Sequence, residues 1–267
     1  MSVGMWVRRA TAQDTAHVVE IIRGGFSAWV NERTIYGSPK VDRYIKAAIE
    51  SVHFAAPQFF VAGEGQRILA VAQVTPAHRN TMLSYICTRE ASRSLGLGRA
   101  LLMEVARLDS KEGSFVTLDV FKTNTRAIHW YRSLGFSEES RIAWWELNKS
   151  DQEDIYKKTV VAIGLPQADV THAHFGFSEF TLEVDSASHR IGRLGSKWFR
   201  VNDIAAALDR DVVLSLIAMD PTRNVLVQCK LDENLLNLMG SPTLESLRMS
   251  VEASLLRTRL NSVESAQ

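Results

Sequence analysis

Arg93-Ser94-Leu95-Gly96-Leu97-Gly98-Arg99-Ala100-Leu101-Leu102 joins a predicted strand at 81–88 to a long predicted helix at 94–111. The first N–H groups of a helix have no partner within it, and the helix dipole favours negative charge there. Glycines at 96 and 98 remove side chains that would hold a phosphate off the backbone. The stretch therefore predicts a diphosphate-binding turn, to which Arg93 and Arg99 add charge-assisted hydrogen bonds.

Two glycines before a helix are also typical of an ordinary loop, so the interpretation depends on the sequence around the turn. The turn lacks the third glycine of a dinucleotide-binding motif and the Gly-Lys-Ser/Thr ending of a Walker loop. Three strands predicted at 58–63, 67–75 and 81–88 have short connections, which is typical of antiparallel neighbours. Apolar spacing predicts helices at 14–29 and 41–52, after a short strand at 6–11.

A second motif lies downstream of a β-rich run at 115–121. It reads Asn124-Thr125-Arg126-Ala127-Ile128-His129-Trp130-Tyr131-Arg132-Ser133-Leu134-Gly135-Phe136 and predicts a short helix at 124–134 that Gly135 ends, followed by a strand at 141–147. With both motifs in this order, residues 6–147 resemble the GNAT superfamily of N-acyltransferases. The phosphate motif of that family is Arg or Gln, two variable residues, Gly, one variable residue, and Gly or Ala.

The resemblance implies an α+β fold with a mixed, mostly antiparallel sheet that helices flank, splayed at its fourth strand. It also implies acetyl-CoA as the acyl-donor cosubstrate, with the pantetheine arm beside residues 84–88 and backbone N–H groups near the acyl carbonyl. The residues that it predicts to bind the cofactor are Ile86, Cys87, Thr88, Arg93, Ser94, Leu95, Gly96, Leu97, Gly98, Arg99, Asn124 and Tyr131.

Tyr131 matches the position that in many relatives donates a proton to the departing thiolate, and this makes it the predicted catalytic residue. A phenol is protonated at neutral pH and suits that role, although Tyr131 could also be a packed helix aromatic beside Trp130. Asn124 is expected to cap its helix, to bind the cofactor arm, or to do both. The resemblance implies that an amine of the acceptor attacks directly, without a covalent enzyme intermediate.

The sequence does not identify the general base, for which there are five weak candidates. The segment 29–44 falls where relatives place their acceptor-binding loop; Arg33, Tyr36 and Arg43 there either line a substrate mouth or belong to a solvated helix hairpin. Cys87 is disfavoured as a nucleophile because its apolar setting raises a thiol pKa. The five candidates for the base are Glu90, Glu64, Glu138, His78 and Tyr85.

Residues after a polar linker at 148–158 form a second predicted domain, so the expected division is 1–149 and 150–267. There we expect a smaller α+β domain with a hairpin of strands 212–219 and 225–229 and a terminal helix at 244–260, and we find no internal repeat and no family resemblance. A short capped helix at 202–208 faintly resembles a helix-turn-helix opening, but no basic recognition helix is expected after it.

The same segment holds candidate metal ligands. His172 and His174 would share one strand face, but further ligands from Asp169 or His189 are unsupported, so no metal is expected.

The composition is that of an ordinary globular protein, with 46% hydrophobic and 23% charged residues and a net charge of +1. This balance does not support a nucleic-acid or membrane partner. Cys87 and Cys229 are far apart, as is typical of reduced thiols, and we see no signal peptide or membrane-spanning run. We therefore expect a cytoplasmic protein whose partners are acetyl-CoA and an amine acceptor; a homodimer is left open.

Two functions follow as hypotheses. The first is an acetyl-CoA-dependent N-acetyltransferase, an enzyme that transfers acetyl directly to a primary amine of a small molecule or protein. The second is a non-catalytic acyl-CoA-binding sensor or scaffold, whose C-terminal domain mediates a partner interaction. The intact turn fits both hypotheses, while Tyr131 favours the enzyme.

Overall fold

A computed structural model describes residues 4–53, 55–77, 79–108, 113–147 and 159–262. Up to residue 147 the elements are β1 (Met5–Arg9), α1 (Thr15–Gly24), α2 (Ala28–Glu32), α3 (Val41–Glu50), β2 (Gln58–Glu64), β3 (Arg67–Ala77), β4 (Asn80–Thr88), α4 (Leu97–Leu108), β5 (Phe115–Phe121), α5 (Thr125–Ser133) and β6 (Ser137–Leu147).

The second half of the chain adds as many helices and strands. They are β7 (Val160–Ile163), α6 (Leu165–Phe175), β8 (Phe177–Val184), β9 (Ala187–Leu194), β10 (Trp198–Val201), α7 (Ile204–Leu208), α8 (Arg210–Met219), β11 (Asn224–Lys230), α9 (Glu233–Met239), β12 (Leu244–Glu252) and α10 (Ala253–Ser262). The predicted fold class is confirmed: a mixed, mostly antiparallel sheet flanked by helices, followed by further α+β structure.

The backbone contacts divide the chain into two compact units that are interleaved in sequence. Unit 1 comprises Met1–Ser27, Asp42–Glu139 and Leu247–Gln267, and unit 2 comprises Ala28–Val41 and Ser140–Ser246. The division predicted between residues 149 and 150 falls outside the described residues, as does the predicted linker at 148–158, and both stay predictions. The units differ from that division, because β6 joins unit 2 through β11 and residues 247–262 join unit 1.

In unit 1 the strands lie in the order β1-β2-β3-β4-β5-β12. The first four are antiparallel neighbours, and β5 runs parallel to β4. Helix α4 packs on one face because its apolar residues recur at helical spacing, and Leu97, Leu101, Leu102 and Val105 are all buried. They share a main core with the inner residues of β5 and β12 and with Leu256 and Leu260 of α10.

In unit 2 the order is β6-β11-β10-β9-β8-β7. The strands β7 to β10 are antiparallel neighbours, β11 runs parallel to β10, and β6 runs antiparallel to β11. The separate core of this unit contains Phe180, Leu182, Ile191 and Phe199 from the sheet, against Val212 and Leu216 of α8.

The two units repeat one order of elements. In each, four antiparallel strands are followed by helix, a parallel strand and another helix, and a strand from the other half of the sequence completes the sheet. The sequence analysis found no repeat, because the repeated property is the order of strands and helices rather than the identity of residues.

Three predicted elements of the chain were wrong. Residues 212–219 form helix α8 rather than a strand: Asp209 caps it by accepting the Asp211 N–H at 2.9 Å, and its apolar residues are buried on nearly every side, which hides the helical period. Residues 244–252 form strand β12 rather than helix, because Leu247, Met249 and Val251 alternate into the main core.

The third is the helix predicted at 14–29, which divides into α1 and α2 around Gly24 and Gly25. A Cβ at Gly25 would lie 2.6 Å from the Cys87 sulfur, so the close approach of α1 to β4 requires glycine at this point. The remaining predicted strands and helices up to residue 147 agree with the structure within a few residues at each end.

Candidate active site

The turn between β4 and α4 has two residues in the left-handed region, Ser94 at a φ of 80° and Gly96 at 79°. A positive φ is uncommon for a residue other than glycine and strains the backbone at Ser94. Left-handed residues at alternate positions of a turn direct successive N–H groups toward one concave side, as in known anion-binding loops. The first helical bond, from the Ala100 N–H to the Gly96 carbonyl, is 3.0 Å, so the amides of residues 97–99 form the open first turn of α4.

Space lies open above both glycines of this turn. A Cβ at Gly96 would meet nothing within 4 Å, and one at Gly98 would meet only Trp130, at 3.6 Å. Steric crowding within the protein therefore does not explain why glycine occurs at these two positions, although the φ of Gly96 favours glycine by itself. The geometry leaves room for a ligand to approach the main chain.

The two arginines of the turn differ in their partners. The Arg93 side chain is half exposed and lies 3.5 Å from the Glu90 carboxylate. The Arg99 guanidinium donates to the Leu260 carbonyl and, at 3.3 Å, to the Arg259 carbonyl. These carbonyls belong to the last turn of α10, where the helix dipole favours a cation. The Arg99 guanidinium is thus bound to the end of α10, and that the Arg99 amide binds a phosphate stays a prediction.

Strands β4 and β5 are paired from Asn80 with Phe115 to Leu83 with Leu118, and they separate after this last pair. A bulge in β4 falls at Ser84, because Leu83 pairs with Val74 while Tyr85 pairs with Gln73. We call the separated ends of the strands, residues 84–88 of β4 and 119–121 of β5, the fork. On its other edge β4 remains paired with β3 up to Thr88, so its edge toward β5 presents main-chain groups there.

Of the residues predicted on β4, Cys87 is buried while Ile86 and Thr88 are half-buried. Burial raises the pKa of the Cys87 thiol to about 12. That shift agrees with the expectation that Cys87 is not a nucleophile, because a protonated thiol attacks poorly. Both cysteines of the chain are buried and free.

Tyr131 lies on α5 with its ring 5.0 Å from Trp130 and 5.4 Å from Phe136. It is buried in the main core, and burial together with the nearby Cys87 raises the pKa of its phenol. The hydroxyl is therefore protonated at neutral pH, as a proton donor must be. Asn124 caps the same helix by accepting the Ala127 N–H at 3.2 Å, which establishes its structural role.

The candidates for the general base lie in different places. Glu90 is almost fully exposed, Glu138 lies 4.0 Å from Arg132, and Glu64 ends β2. Tyr85 is on the fork, where its ring meets Phe26 edge-on at 5.6 Å. His78 lies outside the described residues.

Asp119 lies at the fork and was not singled out by the sequence analysis. It is the first residue of β5 beyond the paired segment, and Arg248 of β12 donates to its two carboxylate oxygens at 2.9 and 2.8 Å. The available signal was a charged residue in the mostly apolar run 115–121. Its partner, far along the chain, could not have been found that way.

The predicted substrate mouth at 29–44 is corrected for two of its residues. Arg33 is buried in unit 2, where it donates to both oxygens of Glu146, at 2.8 and 2.9 Å, and lies over the rings of Trp29 and Trp198. Tyr36 is 1% exposed. Because these side chains are enclosed, they hold the segment within unit 2 rather than lining an open mouth. Of the three residues predicted for the mouth, only Arg43 is exposed.

The candidate features of the second half also differ from expectation. His172 and His174 lie on α6 and not on a strand, so they do not share a strand face, and His189 pairs with Asp203 at 2.8 Å. Within the described residues, no group of His, Cys, Asp and Glu is suited to bind a metal ion. The run after α7 is the buried helix α8 rather than the expected strand. None of the described helices is long and apolar enough to span a bilayer.

Comparisons with known proteins agree with this geometry. Residues 26–136 match the model of the acetyltransferase (GNAT) family. A tandem GNAT protein from the clavulanic acid biosynthesis pathway is 11% identical, with 94% of this chain and 99% of that chain covered and a TM-score of 0.63. A GCN5-related N-acetyltransferase from Sphaerobacter thermophilus is 12% identical, with 93% and 96% covered and a TM-score of 0.61.

A third solved structure, of a Pyrococcus horikoshii protein assigned as an acetyltransferase, is 14% identical, with 93% of this chain and 89% of that chain covered and a TM-score of 0.66. A search among curated proteins found no match. At these identities the structural likeness concerns the fold, and it extends over both units. The family match covers the motifs at residues 93–98 and 124–136, so that residues 26–136 of this chain are similar to a GNAT acetyltransferase domain.

Proposed function

We propose that the chain is an acetyl-CoA-dependent N-acetyltransferase that transfers acetyl directly to a primary amine of a small molecule or protein. The observation that carries the proposal is the open first turn of α4, preceded by left-handed Ser94 and Gly96. Main-chain N–H groups that converge at a helix N-terminus suit a diphosphate, which in acetyl-CoA joins the adenosine to the pantetheine arm.

In this proposal the cofactor runs from the turn into the fork. The amides of residues 94 and 96–99 and the Arg93 side chain hold the diphosphate, and the edge of β4 at residues 86–88 pairs with the amides of the pantetheine arm as an added strand would. Asn124 and Tyr131 approach the same arm from α5.

The chemistry follows from this placement. The amine nitrogen bonds to the thioester carbonyl carbon while main-chain N–H groups at the fork stabilise the oxyanion. The carbon–sulfur bond then breaks, and Tyr131 gives its proton to the departing sulfur. The cationic amine gives up one proton before it attacks, because only the neutral amine has a free lone pair, and its nitrogen gives up a second as the amide forms. The phenol regains one proton from solvent, so that one proton leaves for each cationic amine consumed. The cytoplasmic location and the homodimer left open by the sequence stay predictions.

The proposal is tested by calorimetry with coenzyme A and by thiol release from acetyl-CoA with pooled primary amines. We expect Gly98→Val to abolish binding, because a branched side chain would stand above the amides. Gly96→Val should abolish binding as well, and its matched control is Gly164→Val, since Gly164 has a φ of 78°, lies in open space and belongs to unit 2. Binding of coenzyme A without thiol release from any amine would instead support the acyl-CoA sensor or scaffold.

A further inference from the structure

We propose that Arg248, on the last strand of the chain, positions Asp119 as the carboxylate that binds the acceptor, and that the acceptor is a cationic primary amine with an apolar or aromatic body. The inference rests on the proposed function and adds to it a residue and a substrate class. All of the residues that carry it belong to unit 1.

Asp119 occupies the point at which the fork opens. Leu118 forms the last pair with β4, and Asp119 follows it. Because Val116, Leu118 and Val120 face the main core, the pleat places Asp119 and Phe121 on the opposite face of the sheet. An acyl group lying in the fork would therefore have Asp119 beside it on the face away from α4.

Arg248 reaches the same face from the neighbouring strand β12. Leu247, Met249 and Val251 point into the main core, so Arg248 and Ser250 lie on the other side of β12. The guanidinium clamps the carboxylate of Asp119 through two bonds of 2.9 and 2.8 Å, and this pairing raises the pKa of Arg248. A two-point clamp fixes the plane of the carboxylate in a way that a single contact cannot.

The clamp leaves Asp119 able to bind another group. Each carboxylate oxygen has two lone pairs, and Arg248 uses one of each. The Asp119 side chain is one-quarter exposed. Glu139, which accepts a hydrogen bond from Ser250, also acts on Arg248 electrostatically. These two carboxylates and one guanidinium carry a combined formal charge of −1, which favours an ammonium group over an anion.

Aromatic rings next to Asp119 indicate the body of the acceptor. Phe26 lies edge-on to Tyr85 of β4, at 5.6 Å, and to Phe121 of β5, at 6.0 Å, so it bridges the two sides of the fork. All three rings are half-buried, which leaves part of their surface to a ligand. Rings next to a carboxylate suit an ammonium group carried on an apolar or aromatic body.

The test uses the full chain, acetyl-CoA and two probes that differ by one carboxylate, 2-phenylethylamine and L-phenylalanine. We expect saturable thiol release with 2-phenylethylamine. For L-phenylalanine we expect a kcat/KM that is lower by about tenfold or more, because its carboxylate is repelled by that of Asp119. Absence of release with 2-phenylethylamine, or equal use of both probes, would overturn the acceptor class. Failure to bind coenzyme A would instead overturn the proposed function.

The positioning role is tested with Arg248→Gln and Arg248→Lys. We expect Arg248→Gln to raise the KM for 2-phenylethylamine about tenfold while the KM for acetyl-CoA is unchanged, and Arg248→Lys to recover part of the loss. Arg8→Gln is the control, since Arg8 forms a similar two-point pair with Asp14 away from the fork. Equal changes in both KM values, or the same effect from Arg8→Gln, would overturn the role of Arg248.

Discussion

At the scale of single residues, burial and local partners set the protonation of the groups on which the proposed chemistry depends. Tyr131 and Cys87 are both enclosed near the fork, and burial raises both pKa values. The raised pKa values keep the Tyr131 phenol protonated, as a proton donor must be, and keep the Cys87 thiol protonated and unreactive. The sequence motif identified Tyr131, and the packing around it raises the pKa of its phenol still further above neutral pH.

Replacing Tyr131 with phenylalanine should lower kcat about 100-fold and leave the affinity for coenzyme A nearly unchanged, because the thiolate would leave without a proton donor. Steady-state thiol release and calorimetry measure the two effects, with Tyr36→Phe in unit 2 as the control. Since the pKa of Tyr131 is raised, loss of its proton should not lower the wild-type kcat between about pH 7 and pH 10. An unchanged kcat in Tyr131→Phe would contradict the proton-donor role.

Asp14 provides a prediction about stability and pH. Hydrogen bonds from Arg8 and from Thr11 lower the pKa of Asp14 from its usual 3.8 to about 2. A depressed carboxyl pKa contributes stability that is present above the unfolded value and is lost as the pH falls toward the folded one. Asp14→Asn should thus cost about 1–2 kcal/mol of unfolding free energy at pH 7, with the difference shrinking between about pH 4 and pH 2. Urea unfolding at several pH values measures it, and a difference that is independent of pH would refute it.

At the scale of elements, the last strand and helix of the chain complete unit 1. β12 lies beside β5 in the sheet, and Leu256 and Leu260 of α10 are fully buried in the main core. Arg99 ties the start of α4 to the end of α10 as well. The turn before α4 is therefore held by residues more than 150 positions away in sequence, which a family match at 26–136 does not include.

Leu256→Ala should lower the free energy of unfolding by about 2–5 kcal/mol, the usual cost of emptying a fully buried leucine site. Leu255→Ala, on the same helix, should cost clearly less because Leu255 is 41% exposed. Denaturant unfolding compares the two variants. If both cost the same, α10 does not contribute to the core as its burial indicates.

At the scale of the whole molecule, the two units share an order of elements but differ in their suitability for a cofactor. In unit 2 all four residues of β10 are paired with β11, so these strands form no fork. The carboxylates of Asp203 and Asp209 accept N–H groups at the starts of α7 and α8, and they place negative charge where a diphosphate would bind.

We therefore expect one molecule of coenzyme A per chain. Calorimetry should give a stoichiometry of about one, and Gly98→Val should remove the whole signal rather than half of it, because among the described residues the open turn and the fork occur together in unit 1 and not in unit 2. A stoichiometry of two, or a remaining signal in Gly98→Val, would show that unit 2 binds the cofactor as well.

The sequence by itself determined what is encoded over short distances. The turn at 93–98, the period of α4, the strands up to β5 and the cap at Asn124 each depend on residues within one or two turns of chain. Helix α8 was wrongly predicted as a strand, because a nearly fully buried helix has no polar face. Strand β12 was wrongly predicted as helix, because a short apolar run fits either structure.

Only the tertiary structure decided which strand completes which unit, and it alone brought Arg248 to Asp119 across 129 positions of sequence. The pairing of β12 and β6 with distant strands follows from burial of their apolar faces, and any strand with a suitable face satisfies that requirement locally. The choice among such strands is made by the packing of the folded chain as a whole, which no local pattern contains.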